Sequence, residues 1–135
     1  MRVFLDANLL IYLNTMTETH FKKAYVDFTR NLLAEDRCFV NTLILDEVLY
    51  ISKRKHKVPY EITCDFLDAQ ILPNVDVLPI TVAEYRIATD LIKKYPVRPS
   101  DAIHVATMKA GNINVIASED NDFDCIEGVN RVWIS

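Results

Sequence analysis

The stretch Arg2-Val3-Phe4-Leu5-Asp6-Ala7-Asn8-Leu9-Leu10-Ile11-Tyr12-Leu13 decides the fold. Arg2 to Asp6 is a β-branched and aromatic run that ends in a carboxylate, and Leu9 to Leu13 is a short apolar segment that predicts a brief helix. A strand that passes into a helix with an acid at the junction is the opening of an α/β chain. An isolated aspartate buried there is costly, so Asp6 either caps the helix that follows or belongs to a site.

Outward from this stretch the alternation repeats. Phe21, Ala24, Tyr25, Phe28, Leu32 and Leu33 recur at helical spacing and predict a helix from about Glu18 to Glu35, followed by a strand at Cys38 to Val40. Asn41 is a good N-cap for a helix from Thr42 to His56, and Pro59 suits the first turn of another. Val75 to Ile80 is a third strand. Thr81 and Glu84 have the spacing of a capping box, opening a helix to Tyr95 with Tyr85, Ala88, Leu91, Ile92 and Tyr95 on its apolar side. Pro99 and Ser100 introduce a helix from Asp101 to Ala110 that Gly111 closes. Asn114 to Ala117 and Arg131 to Ile134 are the last two strands, with Trp133 read as core.

Short apolar strands alternating with helices predict a three-layer α/β/α fold around a central, mainly parallel five-stranded sheet. The 135 residues are half hydrophobic, enough for a single domain over 1–135 with one core. Two glycines and five prolines exclude long linkers and low-complexity tails. No apolar run approaches the roughly 18 residues of a membrane span, and no secretory signal is visible, so a cytoplasmic protein without membrane contact is expected. Cys38, Cys64 and Cys125 are odd in number and lack metal or redox spacing, and are read as reduced, mostly buried thiols.

In open parallel sheets a ligand sits at the carboxyl ends of the strands, where the strand order reverses. Four acids fall there. Asp6 ends the first strand. Glu47 lies beside the apolar arc of its helix with Leu43, Tyr50 and Ile51, whereas Asp46 points to the opposite, solvated side. Asp101 opens a helix that is apolar almost all round, where an acid also suits the macrodipole, and His104 follows one turn later. The fourth strand runs into Ser118-Glu119-Asp120-Asn121-Asp122-Phe123-Asp124, a density of like charge that wants a counter-ion. This run is no calcium loop, because Cys125 stands where the glycine and Arg131 where the closing glutamate belong. A set of hard oxygen donors suits Mg²⁺ or Mn²⁺ rather than zinc.

Val3-Phe4-Leu5-Asp6-Ala7-Asn8 resembles the opening Asp-x-Asn strand of PIN domains. Asn41 to Glu47 is similar to the helix carrying that family's second acid, Pro99-Ser100-Asp101-Ala102-Ile103-His104 to the third, and Ser118-x-Asp120-x-Asp122-Phe123 to the last. Within the family the likeness is to VapC-type toxins, and it extends over nearly the whole chain. The resemblance implies a dimeric ribonuclease inhibited by a small antitoxin, with Asp6, Glu47, Asp101 and Asp120 as catalytic and metal-site residues and Asp122 a fifth candidate ligand. Asn8, Ser118 and His104 stand behind them as supporting residues, Asn8 through a hydrogen bond to Asp6. Two departures are visible: Asn41 occupies a place where the family often has serine, and the short loop after Ser118 leaves open whether Asp120 or Asp122 reaches the metal.

The chemistry implied is hydrolysis of an RNA phosphodiester assisted by divalent ions, with a 5′-phosphate product. A formal charge of −4 is the wrong sign for gripping RNA through the overall field, so contact must be local. Lys53-Arg54-Lys55-His56-Lys57 is the one dense basic run, and Lys53, Arg54 and Lys55 are the candidate RNA-binding residues beside a purely dipole-related role. Two other readings compete. An aspartate-nucleophile phosphatase of the haloacid-dehalogenase type also begins with a strand-ending aspartate but needs a second one where Asn8 stands. A PIN-like module that binds RNA or protein without cutting has no need to keep all four acids.

Overall fold

The computed structural model describes residues 1–134. Five strands alternate with six helices: β1 (Arg2–Leu5), α1 (Ala7–Thr15), α2 (Thr19–Glu35), β2 (Arg37–Asn41), α3 (Thr42–His56), α4 (Tyr60–Phe66), β3 (Asp76–Leu78), α5 (Val82–Lys94), α6 (Pro99–Ala110), β4 (Val115–Ala117) and β5 (Asn130–Val132). Between α4 and β3 the chain winds through a π-helical turn, Leu67–Ile71, and a 3-10 turn, Leu72–Asn74; a second 3-10 turn, Asn121–Cys125, precedes β5. The sheet order is β3-β2-β1-β4-β5, and every neighbouring pair is parallel.

This order puts β1 at the centre, where Val3, Phe4 and Leu5 are completely buried. From β1 the chain steps one way through β2 to β3 and then crosses back to β4 on the other side. Right-handed crossovers in opposite directions end on opposite faces. Accordingly α1 packs against α2 and α3, α3 also meets α4, and α5 and α6 form a pair of their own. The reversal between β1 and β4 leaves a crevice at their carboxyl ends, and Asp6 and Ser118 are the residues that leave those two strands.

Several sequence expectations change in detail. The third strand shortens from Val75–Ile80 to Asp76–Leu78 because it is an edge strand that pairs only with β2. The capping box of α5 is present as expected; the helix buries Ala88 and Leu91 as expected, with Glu84 beside them, but Tyr85 and Ile92 are exposed. Pro59 caps α4 from outside its first turn. At the end of α6 the left-handed residue is Asn112, with φ 56°, rather than Gly111. Gly111 sits in a tight place: a Cβ there would meet Leu78 Cδ1 at 3.1 Å, and its carbonyl accepts a hydrogen bond from Arg2 Nη2 at 2.8 Å. Of the three free thiols only Cys38 is buried, because Cys64 and Cys125 lie on the outer sides of short surface helices. Trp133 is half-buried and closes an aromatic group with Tyr12, Tyr25 and Phe28. Among the described residues no helix is long and apolar enough to cross a membrane.

Candidate functional site

Asp6 caps a helix and lines a cleft. Its extended backbone ends β1, and its Oδ1 accepts the Ala7 N–H at 2.8 Å, which caps α1. Oδ2 accepts the Ser118 hydroxyl at 2.6 Å. Asp6 is 6% exposed, and burial pushes its pKa above the usual aspartate value, opposed by the Ser118 hydrogen bond. Ser118 Oγ also accepts from Asn8 Nδ2 at 3.2 Å and from the Asp120 N–H at 3.0 Å. The direct bond expected from Asn8 to Asp6 is therefore replaced by one through Ser118. Asp6 already has its two donors, and the β4 hydroxyl lies between it and the Asn8 amide.

The other acids come from three further segments. Glu47 projects from α3, half-buried, with Oε1 at 2.9 Å from His104 Nε2. Asp101, in the first turn of α6, is 5% exposed; burial raises it to a pKa of about 6 despite the opposing charge of Arg98. Asp120 caps the 3-10 turn after β4, its Oδ1 accepting the Asp122 N–H at 2.9 Å. Arg98 spans two of them, with Nε 3.3 Å from Asp101 Oδ2 and Nη2 3.3 Å from Asp120 Oδ2.

Asp6, Glu47, Asp101 and Asp120 line one open cleft of about 530 Å³. Ligand atoms lie within 4.8 Å of one another inside each of two separate groups: Asp6, Glu47 and His104 in one, and Asp101, Asp120 and Asp122 in the other. Asp122 is exposed and does not line the cleft, but its carboxylate is close enough to share an ion with Asp101 and Asp120. Buried carboxylates of raised pKa, faced by a single arginine, are the kind of acceptor set that a hard divalent cation relieves.

The basic run divides by helical phase. Lys53 Nζ lies 4.8 Å from the centroid of the Tyr60 ring, and Arg54 Nη1 donates to the Tyr50 hydroxyl at 3.0 Å, so both are turned away; Lys55 and His56 line the cleft. Sequence reading missed three participants. Arg98 was legible as an i, i+3 partner of Asp101. Tyr12 lines the cleft and bonds Glu119 through its hydroxyl, and burial with that carboxylate pushes the phenol above its usual pKa. Asn41, read as a cap and as a departure from the family's serine, also reaches His104.

The sequence pattern of the PIN domain matches residues 3–129. The chain belongs to the PIN-domain family. This PIN domain is 29% identical to Ribonuclease VapC2 of Methanocaldococcus jannaschii, over 98% of the chain and 94% of that protein. Its fold superposes on VapC20 of Mycobacterium tuberculosis, a Sarcin-Ricin loop cleaving toxin, with a TM-score of 0.70, 16% identity and coverage of 90% and 92%. A toxin-antitoxin complex from Klebsiella pneumoniae aligns with a TM-score of 0.69, 20% identity and 94% of each chain. The PIN domain described here is thus a homologue of VapC-type toxin ribonucleases, and its acidic cluster is compatible with a PIN metal site.

Proposed function

We propose that the chain is a single PIN domain acting as a Mg²⁺- or Mn²⁺-dependent endoribonuclease, the toxin of a toxin-antitoxin pair. The observation that carries this reading is the convergence of Asp6, Glu47, Asp101 and Asp120, from four separate segments, on one cleft. Divalent ions bound there supply the Lewis acidity that activates water and stabilises the departing oxygen of an RNA phosphodiester. Asp6, fixed by two donors, would hold an ion together with Glu47, and Asp101, Asp120 and Asp122 would offer a second oxygen set in the same site. Glu47 orients the attacking water or holds an ion through its free oxygen. Lys55 and Arg98, on the cleft wall, hold backbone phosphates of single-stranded or looped RNA. The toxin-antitoxin complex among the structural relatives supports an antitoxin as partner; a homodimer as the active form is what the family resemblance implies.

The test is cleavage of a structured RNA by purified protein with Mg²⁺ or Mn²⁺, beside an Asp6→Asn variant. Metal-dependent cutting by the wild-type protein alone is expected. Equal cutting by both preparations identifies a contaminating nuclease and favours a binding module. A phospho-enzyme formed on Asp6 without RNA cleavage favours the phosphatase reading.

A further inference from the structure

We infer that Asn41 and His104 form a proton-ordered relay that fixes the imidazole as its neutral Nε2–H tautomer, so that His104 positions Glu47 instead of ligating metal. Its consequence for Glu47 rests on the nuclease reading above; the tautomer rests on hydrogen bonds alone.

Every hydrogen in this group has one place to go. Asn41 is completely buried at the end of β2, and its Oδ1 accepts the Ile44 N–H at 2.9 Å to cap α3. A backbone amide only donates, so the side-chain oxygen must face Ile44 and the NH₂ must face the other way. There Nδ2 meets Thr107 Oγ1 at 2.9 Å and His104 Nδ1 at 3.2 Å. Thr107 spends its one hydroxyl hydrogen on the Ile103 carbonyl at 2.9 Å, so it accepts from Asn41. The remaining Asn41 hydrogen points at His104 Nδ1, which must present its lone pair. The ring proton then sits on Nε2, 2.9 Å from Glu47 Oε1, and donates to it.

His104 is completely buried, with Phe4 against it at a ring-centroid distance of 5.7 Å. Nε2 lies in a compact group with carboxylate oxygens of Asp6 and Glu47, close enough for all three to surround one ion. In the Nε2–H tautomer that nitrogen offers a hydrogen and no electron pair. The ring's only lone pair is turned from the cleft into the Asn41 amide. One oxygen of Glu47 is therefore held, the other is left to the cleft, and the ion site stays all-oxygen, which favours Mg²⁺ or Mn²⁺ over zinc. Asn41 and His104 are positioning residues, and an asparagine in place of serine supplies the donor that sets the tautomer.

The test is long-range ¹H–¹⁵N correlation on full-length, metal-free protein with ¹⁵N-labelled histidine. The chain has three histidines, and the signals lost in His104→Gln assign the buried one. Expected is a protonated Nε2 and a bare Nδ1, unchanged on saturation with Mg²⁺. Asn41→Asp keeps a capping oxygen for Ile44 but cannot donate to the ring, and it moves a proton onto Nδ1. In Mn²⁺ titration calorimetry, His104→Gln, whose amide nitrogen can still donate to Glu47, holds affinity within about threefold, whereas Asn41→Asp weakens it about tenfold. A wild-type ring protonated at Nδ1, or loss of Mn²⁺ binding in His104→Gln, overturns the relay. These readouts need no RNA: a protein with the expected tautomer that cuts nothing removes the nuclease reading and leaves the relay standing.

Discussion

Ser118 Oγ donates to Asp6 Oδ2 at 2.6 Å across 112 positions of sequence, tying the end of β4 to the end of β1. The same hydroxyl accepts from Asn8 and from the Asp120 backbone, so one oxygen sets the positions of two acids of the cleft. Ser118→Ala removes all three bonds with little change in volume. Mn²⁺ affinity and RNA cleavage are expected to fall about 10- to 100-fold, the usual effect of losing a group that orients ligands. Circular dichroism should show an unchanged secondary structure. Wild-type affinity in this variant removes Ser118 from the site.

Asp6→Asn separates the needs of the reaction from those of the fold. The amide oxygen still caps α1 and a buried group whose charged form is disfavoured becomes permanently neutral, but the NH₂ takes the place of the oxygen that accepts the Ser118 hydroxyl. Cleavage should drop to background, while relief of the buried charge and loss of the Ser118 acceptor oppose each other, so the melting temperature of the chelator-treated protein at neutral pH should stay within about 5 °C of wild type. A larger fall would mean that the Ser118 bond outweighs the cost of burying this charge.

Asp101 gives the metal-free protein a pH dependence whose sign is fixed. Its folded pKa, about 6, lies above the unfolded value of 3.8, so the folded state binds more protons across that window. Stability from this group is complete below the lower value and lost as pH rises through the upper one; Asp6, also raised, acts in the same direction. In chelator, melting temperature should decline as pH rises from about 5 to 7.5, and Asp101→Asn should flatten the decline. Adding Mg²⁺ or Mn²⁺ at the upper pH should restore stability, because the ion takes the place of the missing protons.

Helical phase in the basic run predicts unequal roles for neighbouring lysines. Lys55 lines the cleft with Arg98, while Lys53 rests on Tyr60. Lys55→Ala and Arg98→Ala should each raise KM for RNA more than they lower kcat, and each should reduce the salt slope of RNA binding by about one. Lys53→Ala should leave both unchanged. An equal loss from Lys53 would mean that RNA crosses the outer face of α3.

Much of this architecture was legible because the acids stand at element junctions. Asp6 ends a strand, Asp101 begins a helix, and Asp120 follows β4, so locating the strands located the carboxylates. Glu47 was separable from Asp46 by helical phase alone, and the structure exposes Asp46 while half-burying Glu47. Other features depended on which side chains meet in space. A helix cap uses only the oxygen of Asn41; where its amide hydrogens go is decided by α6, which lies far along the chain. Asn8 and Asp6 are two residues apart, yet they communicate through Ser118, which no local pattern reveals. Apolar spacing placed Ala88 and Leu91 inward correctly but not Tyr85 and Ile92, which cover the surface without being buried, and the basic run by itself did not say which of Lys53, Arg54 and Lys55 faces the cleft.

Trp133 is the chain's only tryptophan, and its ring lies 6.4 Å from Tyr12, the aromatic that both walls the cleft and holds Glu119. Indole emission therefore provides an intrinsic optical gauge of the acidic loop. Occupancy of the cleft that disturbs Tyr12 registers in fluorescence without any attached dye.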